Sequence, residues 1–378
     1  MPGLYFHIPF CKQACSYCDF YFVTRTGRMS EFIQTLKQEI ESSRRYTTIE
    51  DQIYSLYFGG GTPSLLSLKE VEDIMTSVRE NFKVSSQAEV TFEMNPDDVS
   101  ADYLSGLSRI GINRISMGVQ TFNPERLKFM NRAHSREEAL RCLELLQLSP
   151  IKSFNVDLIY GNPGQDIEDL SIDVHTLLRF NPPHISAYSL TIEPRTRLGT
   201  LNKKGLLKVA DDDTVAHHID FLVDTLSEQG IERYEVSNYS RHGYEARHNS
   251  AYWNHINYLG FGPGAHSFLW DEDHRGARRW KNRAHLKTYL SDDAKIDDLS
   301  MEKLNLLNLA EERMMMGLRT RDGISLEELA SKYDYSLSEL QDSRLKKFTS
   351  EGYVQINGII SLTDKGMKVA DSIITNLL

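Results

Sequence analysis

Cys11, Cys15 and Cys18 stand in the run His7-Ile-Pro-Phe-Cys-Lys-Gln-Ala-Cys-Ser-Tyr-Cys-Asp-Phe20, a C-x3-C-x2-C spacing directly after a short apolar strand. Three thiolates can hold three corners of a cubane 4Fe-4S cluster and leave one iron without a protein ligand. Such an iron can chelate a small molecule and pass it an electron, so the spacing points to a core built for radical chemistry. Two plainer readings compete with it. Structural zinc takes four ligands, usually as two close pairs; no second pair lies nearby, although His7 could complete a Cys3His set. Disulfides are disfavoured by four cysteines in 378 residues and by an apolar run at residues 4–9 far too short for a secretory signal. The fourth cysteine, Cys142, falls among apolar positions at helical spacing and reads as a buried small hydrophobe.

The elements that must position these thiols come next. Short β-branched and aromatic runs at 3–8, 53–58, 89–93, 114–119, 153–159 and 185–190 alternate with amphipathic stretches at 31–43, 68–82, 101–110, 136–148 and 167–179. That alternation predicts six consecutive β-α units around a parallel sheet, a partial (β/α)6 TIM-type barrel. Ser67-Leu-Lys-Glu70 and Ser135-Arg-Glu-Glu138 are capping boxes that open two of the helices.

Parallel barrels place their chemistry at the C-terminal ends of the strands. All six predicted ends are polar or glycine-rich: the cysteine loop, Gly59-Gly-Gly-Thr-Pro63, Glu93-Met-Asn-Pro96, Gln120, Asp157 with Tyr160-Gly-Asn-Pro-Gly164, and Thr191-Ile-Glu-Pro194. One such end is ordinary turn chemistry, whereas six on the face of the cysteine loop describe a pocket. Without Cβ atoms, Gly59, Gly60 and Gly61 let backbone amides and carbonyls approach a ligand closely.

Composition bounds the remainder. The chain is 40% hydrophobic with a formal net charge of −10, which opposes general affinity for nucleic acid or anionic lipid. No apolar run reaches the roughly 18 residues of a bilayer span, so a soluble protein of a reducing, cytoplasmic compartment is expected. The C-terminal segment from residue 302 reads as three helices, a hairpin at 354–362 and a last helix, opened in part by a further capping box at Ser325-Leu-Glu-Glu328; this is a winged-helix-like outline. Its ten Lys and Arg against twelve Asp and Glu lack the basic stripe of a groove reader, which favours a lid or partner-docking module. The expected division is a core over 1–235, a connecting segment over 236–300 and a C-terminal domain over 301–378.

Together these residues resemble a known family. The triad, the Gly-Gly-Gly-Thr-Pro run and the polar strand ends look like a radical S-adenosylmethionine (SAM) core. Tyr5-x-His-Ile-Pro-Phe-Cys11, Ser116-Met-Gly-Val-Gln120 and Asp157-Leu-Ile-Tyr-Gly161 are similar to the oxygen-independent coproporphyrinogen III dehydrogenase family, over roughly the first 240 residues. The resemblance implies that Cys11, Cys15 and Cys18 ligate the cluster, that SAM chelates the open iron, and that one-electron transfer can cleave it to methionine and a 5'-deoxyadenosyl radical. It also implies a SAM site lined by Tyr5, Tyr17, Gly60, Gly61, Thr62, Glu93, Gln120, Arg132 and Asp157. A carboxylate suits ribose hydroxyls or the sulfonium, and Arg132 suits the methionine carboxylate.

Two departures point within that family to its haem-chaperone branch, whose members are thought to bind haem and not to oxidise its precursor. Phe20 stands where the dehydrogenase has a fourth cysteine, and only four residues precede Tyr5. Arg247-His-Asn-Ser-Ala-Tyr-Trp253 fits the His-Asn-x-x-Tyr-Trp pattern of the same branch. His248 is then expected to offer an imidazole to haem iron, with Tyr252 and Trp253 covering a porphyrin face; the plainer reading makes His248 a hydrogen-bonded loop histidine and Trp253 core. The implied cargo is haem, the implied partners are haem-accepting proteins, membrane-associated ones among them, and no nucleic acid is expected. Oxidative decarboxylation of coproporphyrinogen III is the alternative on the same scaffold. Nucleic-acid modification would require RNA or DNA binding by the terminal domain.

Overall fold

The computed structural model describes residues 2–46, 52–291 and 296–378. Strands β1 (Gly3–Ile8), β2 (Gln52–Gly60), β3 (Lys83–Met94), β4 (Arg114–Gln120), β5 (Ser153–Tyr160) and β6 (His184–Ser189) pair in that order, all parallel. Helices α1 (Met29–Ser42), α2 (Leu68–Asn81), α3 (Ala101–Ile110), α4 (Pro124–Phe129), α5 (Arg136–Leu148) and α6 (Ile167–Leu178) run between them. The boxes at Ser67 and Ser135 form as expected, and Asp166 with Asp169 makes a third. The short α4 was not expected; Asn123 caps it through the amides of Glu125 and Arg126, with Pro124 at its first position.

Residues 236–300, which read from sequence as a connector, extend this sheet at both edges. After α7 (Arg197–Lys203) and α8 (Asp212–Ser227), β7 (Glu232–Arg233) and β8 (Asn238–Ser240) add antiparallel strands beside β6. Beyond α9 (Arg247–Trp253), β9 (Tyr258–Phe261) joins β1 in parallel, and β10 (His266–Trp270) and β11 (Gly276–Lys281) follow antiparallel. With α10 (Leu286–Leu290) and β12 (Glu302–Asn305), the sheet order becomes β12-β11-β10-β9-β1-β2-β3-β4-β5-β6-β8-β7.

The parallel register decides what each face does. Leu4, Phe6, Ile8, Leu56, Phe58, Phe92, Ile115, Met117 and Val156 point outward and are buried under the helices, with Phe6 stacked between Phe58 at 4.7 Å and Phe261 at 5.2 Å. The residues directly beside them along each strand face inward. Tyr5 pairs with Tyr57, Tyr57 with Thr91, Thr91 with Arg114, and one step up Glu93 pairs with Ser116 and Ser116 with Asn155. A complete (β/α)8 barrel fills this interior with branched aliphatic side chains. Here polar groups occupy it, an arrangement that is costly unless protein or ligand satisfies them.

A second core gathers Leu309, Met314, Leu318, Ile324, Leu329, Leu345, Ile360 and Ile373. It is built by α11 (Leu306–Gly317), α12 (Leu326–Tyr333), α13 (Glu339–Ser350), α14 (Asp364–Met367), α15 (Ala370–Leu377) and a small sheet in which β15 (Ile359–Leu362) lies between β13 (Ile324–Ser325) and β14 (Val354–Ile356). The expected box at Ser325 is only half formed. Ser325 Oγ accepts from the Glu328 amide, but the Glu328 carboxylate takes Nε and Nη2 of Arg313, each at 3.0 Å. A buried, bidentate guanidinium partner outcompetes a single backbone amide. Arg313 also donates to the Trp253 carbonyl and to Asn254 Oδ1, both at 3.2 Å, and so clasps this module to the end of α9. Arg313→Ala should lower the unfolding free energy by about 2 kcal/mol, less than a fully buried pair because Glu328 keeps some solvent. Urea denaturation checks this; an unchanged midpoint would mean the clasp is passive. No helix among the described residues is long and apolar enough to cross a membrane.

Candidate functional site

The cysteine loop is fixed by backbone bonds to three elements. The Cys11 amide donates to the Val23 carbonyl at 3.0 Å, Ser16 N to the Met130 carbonyl at 2.9 Å, and Leu198 N, at the start of α7, to the Ser16 carbonyl at 3.0 Å. Asn131, whose φ of 54° lies in the left-handed region that asparagine tolerates, accepts Gln13 Nε2 on its carbonyl and donates Nδ2 to the Ala14 carbonyl, both at 2.7 Å. Lys12 pairs with Asp97 at 2.7 Å and with Asp98.

The three thiols are free, partly exposed and on the wall of one cavity. Among the described residues no three His, Cys, Asp or Glu side chains converge on a single metal ion. Cubane ligation takes one thiolate per iron, and three thiols on one wall can supply three such ligands. The Cys3His alternative also loses its histidine. His7 Nε2 donates to the Tyr21 carbonyl at 2.8 Å, Nδ1 accepts from the Tyr5 hydroxyl at 3.2 Å, and burial lowers the imidazole to about 4.

The glycine run behaves differently from the amide cradle expected of it. Gly60 N donates to Glu93 Oε2 at 3.2 Å, Gly61 N to the Ile8 carbonyl at 2.8 Å and Thr62 N to the Phe10 carbonyl at 2.7 Å. These amides brace the cysteine loop, and the Thr62 hydroxyl accepts Asn95 Nδ2 at 3.3 Å beside Cys11. Gly60 has φ of 102°, and a Cβ there would sit 2.5 Å from the His7 ring; at Gly61 it would meet the Ile8 carbonyl at 2.7 Å.

The cavity, about 660 Å³, runs from the loop down the inner face of the strands. Tyr17, Gly60, Gly61, Thr62, Glu93, Gln120, Arg132 and Asp157 all line it, as do Cys11, Cys15 and Cys18. Tyr5 does not; it stacks on Tyr57 at 6.0 Å and supports the wall from behind. Arg132 ties the cavity to the loop, with Nη1 3.3 Å from Cys15 Sγ and from the Tyr17 hydroxyl, and Nη2 donating to Asn95 Oδ1 at 2.6 Å and the Gly118 carbonyl at 2.8 Å. Its Nε has no partner. Gln120 takes φ of 70° where the β4–β5 register slips, and strain of this kind concentrates at binding sites. Burial pushes the Glu93 carboxyl up to about 7, against the hydrogen bond from the Tyr57 hydroxyl at 2.7 Å, with nearby Asp157 adding to the rise. Burial likewise raises Asp157 to about 6, against hydrogen bonds from Asn155 and Ser186.

His248, Tyr252 and Trp253 are not part of this cavity's lining. His248 is 2% exposed, Nδ1 lies 2.9 Å from Ser55 Oγ, Nε2 lies 2.8 Å from the Tyr252 hydroxyl, and burial lowers it to about 3. Both nitrogens are engaged within the chain, so in this structure His248 acts as a buried strut behind Tyr57. Tyr252 packs edge-on against that ring and Tyr258, and half-buried Trp253 gives its carbonyl to Arg313. From the same motif, Asn249 does face the cavity.

Sequence reasoning passed over Tyr57, Arg114, Asn155 and His184, which also line it. The signal was parity, since Asn155 lies two residues before Asp157 and Tyr57 two before Gly59. Asn155 Nδ2 donates to Asp157 Oδ1 at 2.6 Å, while its Oδ1 accepts His184 Nδ1–H at 2.7 Å; His184 Nε2 then accepts from the Tyr234 hydroxyl at 2.8 Å. This chain of bonds fixes the orientation of the Asp157 carboxylate.

Residues 5–177 match the radical SAM superfamily and residues 304–369 match the HemN C-terminal domain. The chain is 32% identical to heme chaperone HemW of Lactococcus lactis subsp. lactis (strain IL1403), over 99% of this chain and 96% of that protein. It is 37% identical to heme chaperone HemW of Escherichia coli (strain K12), over 74% of each. Among solved structures, coproporphyrinogen III oxidase (HemN) from Escherichia coli, a radical SAM enzyme, has the same fold, with a TM-score of 0.84 at 22% identity over all of this chain and 89% of that one.

Proposed function

Because the chain belongs to the HemW family of heme chaperones within the radical SAM superfamily, we propose that it holds haem in the cavity of its partial barrel and passes it to acceptor proteins. The observation that supports this most is Phe20. It lines the cavity mouth beside the three thiols and is 72% exposed, a flat apolar face held in water. A porphyrin offers the surface that would cover it.

The residues present fit the family's 4Fe-4S cluster and SAM: three thiols on one wall and an unpartnered Nε on Arg132. Cys11, Cys15 and Cys18 would hold the cluster, and Tyr17, Gly60, Gly61, Thr62, Glu93, Gln120, Arg132 and Asp157 would hold SAM, with Tyr5 behind them. When bound, the pair supplies one-electron reduction of a sulfonium. Arg132 sets the distance between loop and β4, and the Tyr57 hydroxyl orients Glu93. Asp157 is held by Asn155.

Glu93 gives this site a pH dependence. With its carboxyl near 7, Glu93 is mostly protonated below neutrality, while cationic SAM favours the carboxylate. Binding then releases a proton, and affinity falls with acidity by up to about tenfold per pH unit below 7. Calorimetric titration with SAM from pH 5.5 to 8 checks this; Glu93→Gln should flatten the profile, and a sloping profile in that variant would assign the proton elsewhere.

The chaperone reading has a direct test against its enzymatic alternative. Given haem anaerobically, the protein should elute from gel filtration with about one haem per chain, and with SAM, reductant and coproporphyrinogen III it should form no protoporphyrinogen IX. Absent haem, or product formation, would overturn it.

A further inference from the structure

The deep end of the cavity holds polar groups that no protein atom satisfies. Thr91 and Arg114 are register partners on β3 and β4; they are 2% and 3% exposed, and both line the cavity. Arg114 Nη1 donates to the Tyr244 carbonyl at 2.9 Å and to Ser153 Oγ at 3.0 Å, yet its Nη2 has no partner, and neither has Thr91 Oγ1. Asn249 enters the same space from α9, and among the described residues its carboxamide makes no hydrogen bond. The nearest carboxylate does not use the unpaired guanidinium nitrogen. Glu89 lies 3.9 Å from Nη1 and is engaged by the amides of Arg247 at 3.1 Å and His248 at 3.0 Å.

A buried donor left unpaired is costly, so the guanidinium edge and the hydroxyl, with the uncommitted carboxamide of partly buried Asn249 beside them, mark a site for something absent from the chain. All three can donate, and one is cationic, which is the chemistry of carboxylate recognition. Glu93 and Asp157 lie nearer the thiols, two residues up β3 from Thr91 and on β5, and would repel a carboxylate there. We propose that Thr91, Arg114 and Asn249 form a floor subsite that receives a propionate carboxylate of the haem cargo, with the macrocycle above it toward Phe20. This rests on the haem reading and adds the orientation in which haem enters. It also gives the His-Asn-x-x-Tyr-Trp helix a role: His248 braces the floor while Asn249 contacts cargo.

Haem and haem dimethyl ester, whose propionates are blocked, separate these claims. The wild-type protein should bind haem at least about tenfold more tightly than the ester. Arg114→Gln should remove most of that preference by weakening haem alone. Because Arg114 also holds the Tyr244 carbonyl, Thr91→Val with Asn249→Leu decides the matter if that variant unfolds, and should cut the preference about threefold. SAM affinity should stay unchanged in these variants. Equal wild-type binding of haem and ester, or an undiminished preference in the folded variants, would overturn the subsite. Weakened SAM binding with the preference intact would assign it to the SAM carboxylate and overturn it too. A wild-type protein that binds neither porphyrin would refute the haem reading itself.

Discussion

Cys15→Ala should leave a folded protein that cannot keep its cluster. After anaerobic reconstitution, bound iron should fall from about four atoms per chain to below one, with loss of the broad visible absorption of the thiolate-bound cluster. Two thiolates cannot hold a cubane that already has one corner without protein ligation. The fold should survive because the loop does not depend on the thiol: its backbone is fixed from Val23, Met130 and Leu198, and Arg132 keeps Tyr17, Asn95 and Gly118 when the sulfur is gone. Cys142→Ala should give the opposite pattern. That thiol is buried in the core against α5 neighbours, with burial raising its pKa, so its loss should cost about 1 kcal/mol of stability and no iron. Equal iron loss in both variants would mean the triad is not the ligand set.

His248→Ala should cost about 3 kcal/mol or more in stability. The ring fills space under Tyr5 and Tyr57, with centroids 6.5 and 5.1 Å away, and its removal strands the Ser55 and Tyr252 hydroxyls. The same burial makes a pH prediction. With the folded imidazole lowered to about 3, the unfolded chain binds the extra proton below about 6.5, so this residue's contribution is complete above that pH and is lost as pH falls toward 3. His248→Asn, which keeps a polar group, should fold and remove that acid dependence. Urea midpoints at pH 5 and 7 for wild type and the two variants check both claims; an alanine variant as stable as wild type would contradict the strut.

The β-α core was legible because its signals are local. Periodicity within each strand and helix, the boxes at Ser67 and Ser135, and the cysteine spacing all lie within a few residues. Parity then reaches the cavity, since residues two apart share its wall. The strands of 236–300 were hidden because they are short and rich in Arg278, Arg279 and Lys281, while β9 finds β1 more than two hundred residues earlier. The surroundings of His248 were hidden for a related reason. Its motif says which residue types are present, but the fold decides direction, and Ser55, 193 residues away, and Tyr252 take its two nitrogens. Glu328 shows the same competition, where a long-range guanidinium displaced a local cap.

The central claim is that haem sits in the cavity, against Phe20, and is not ligated by His248. An anaerobic visible-absorption titration with haem, run in parallel on wild type, Phe20→Ala and His248→Asn, tests it most directly. Wild type should saturate at one haem per chain, Phe20→Ala should bind about tenfold more weakly through loss of an aromatic face, and folded His248→Asn should match wild type in affinity and spectrum. No saturable binding in wild type, or binding lost with His248 and untouched by Phe20, would contradict it.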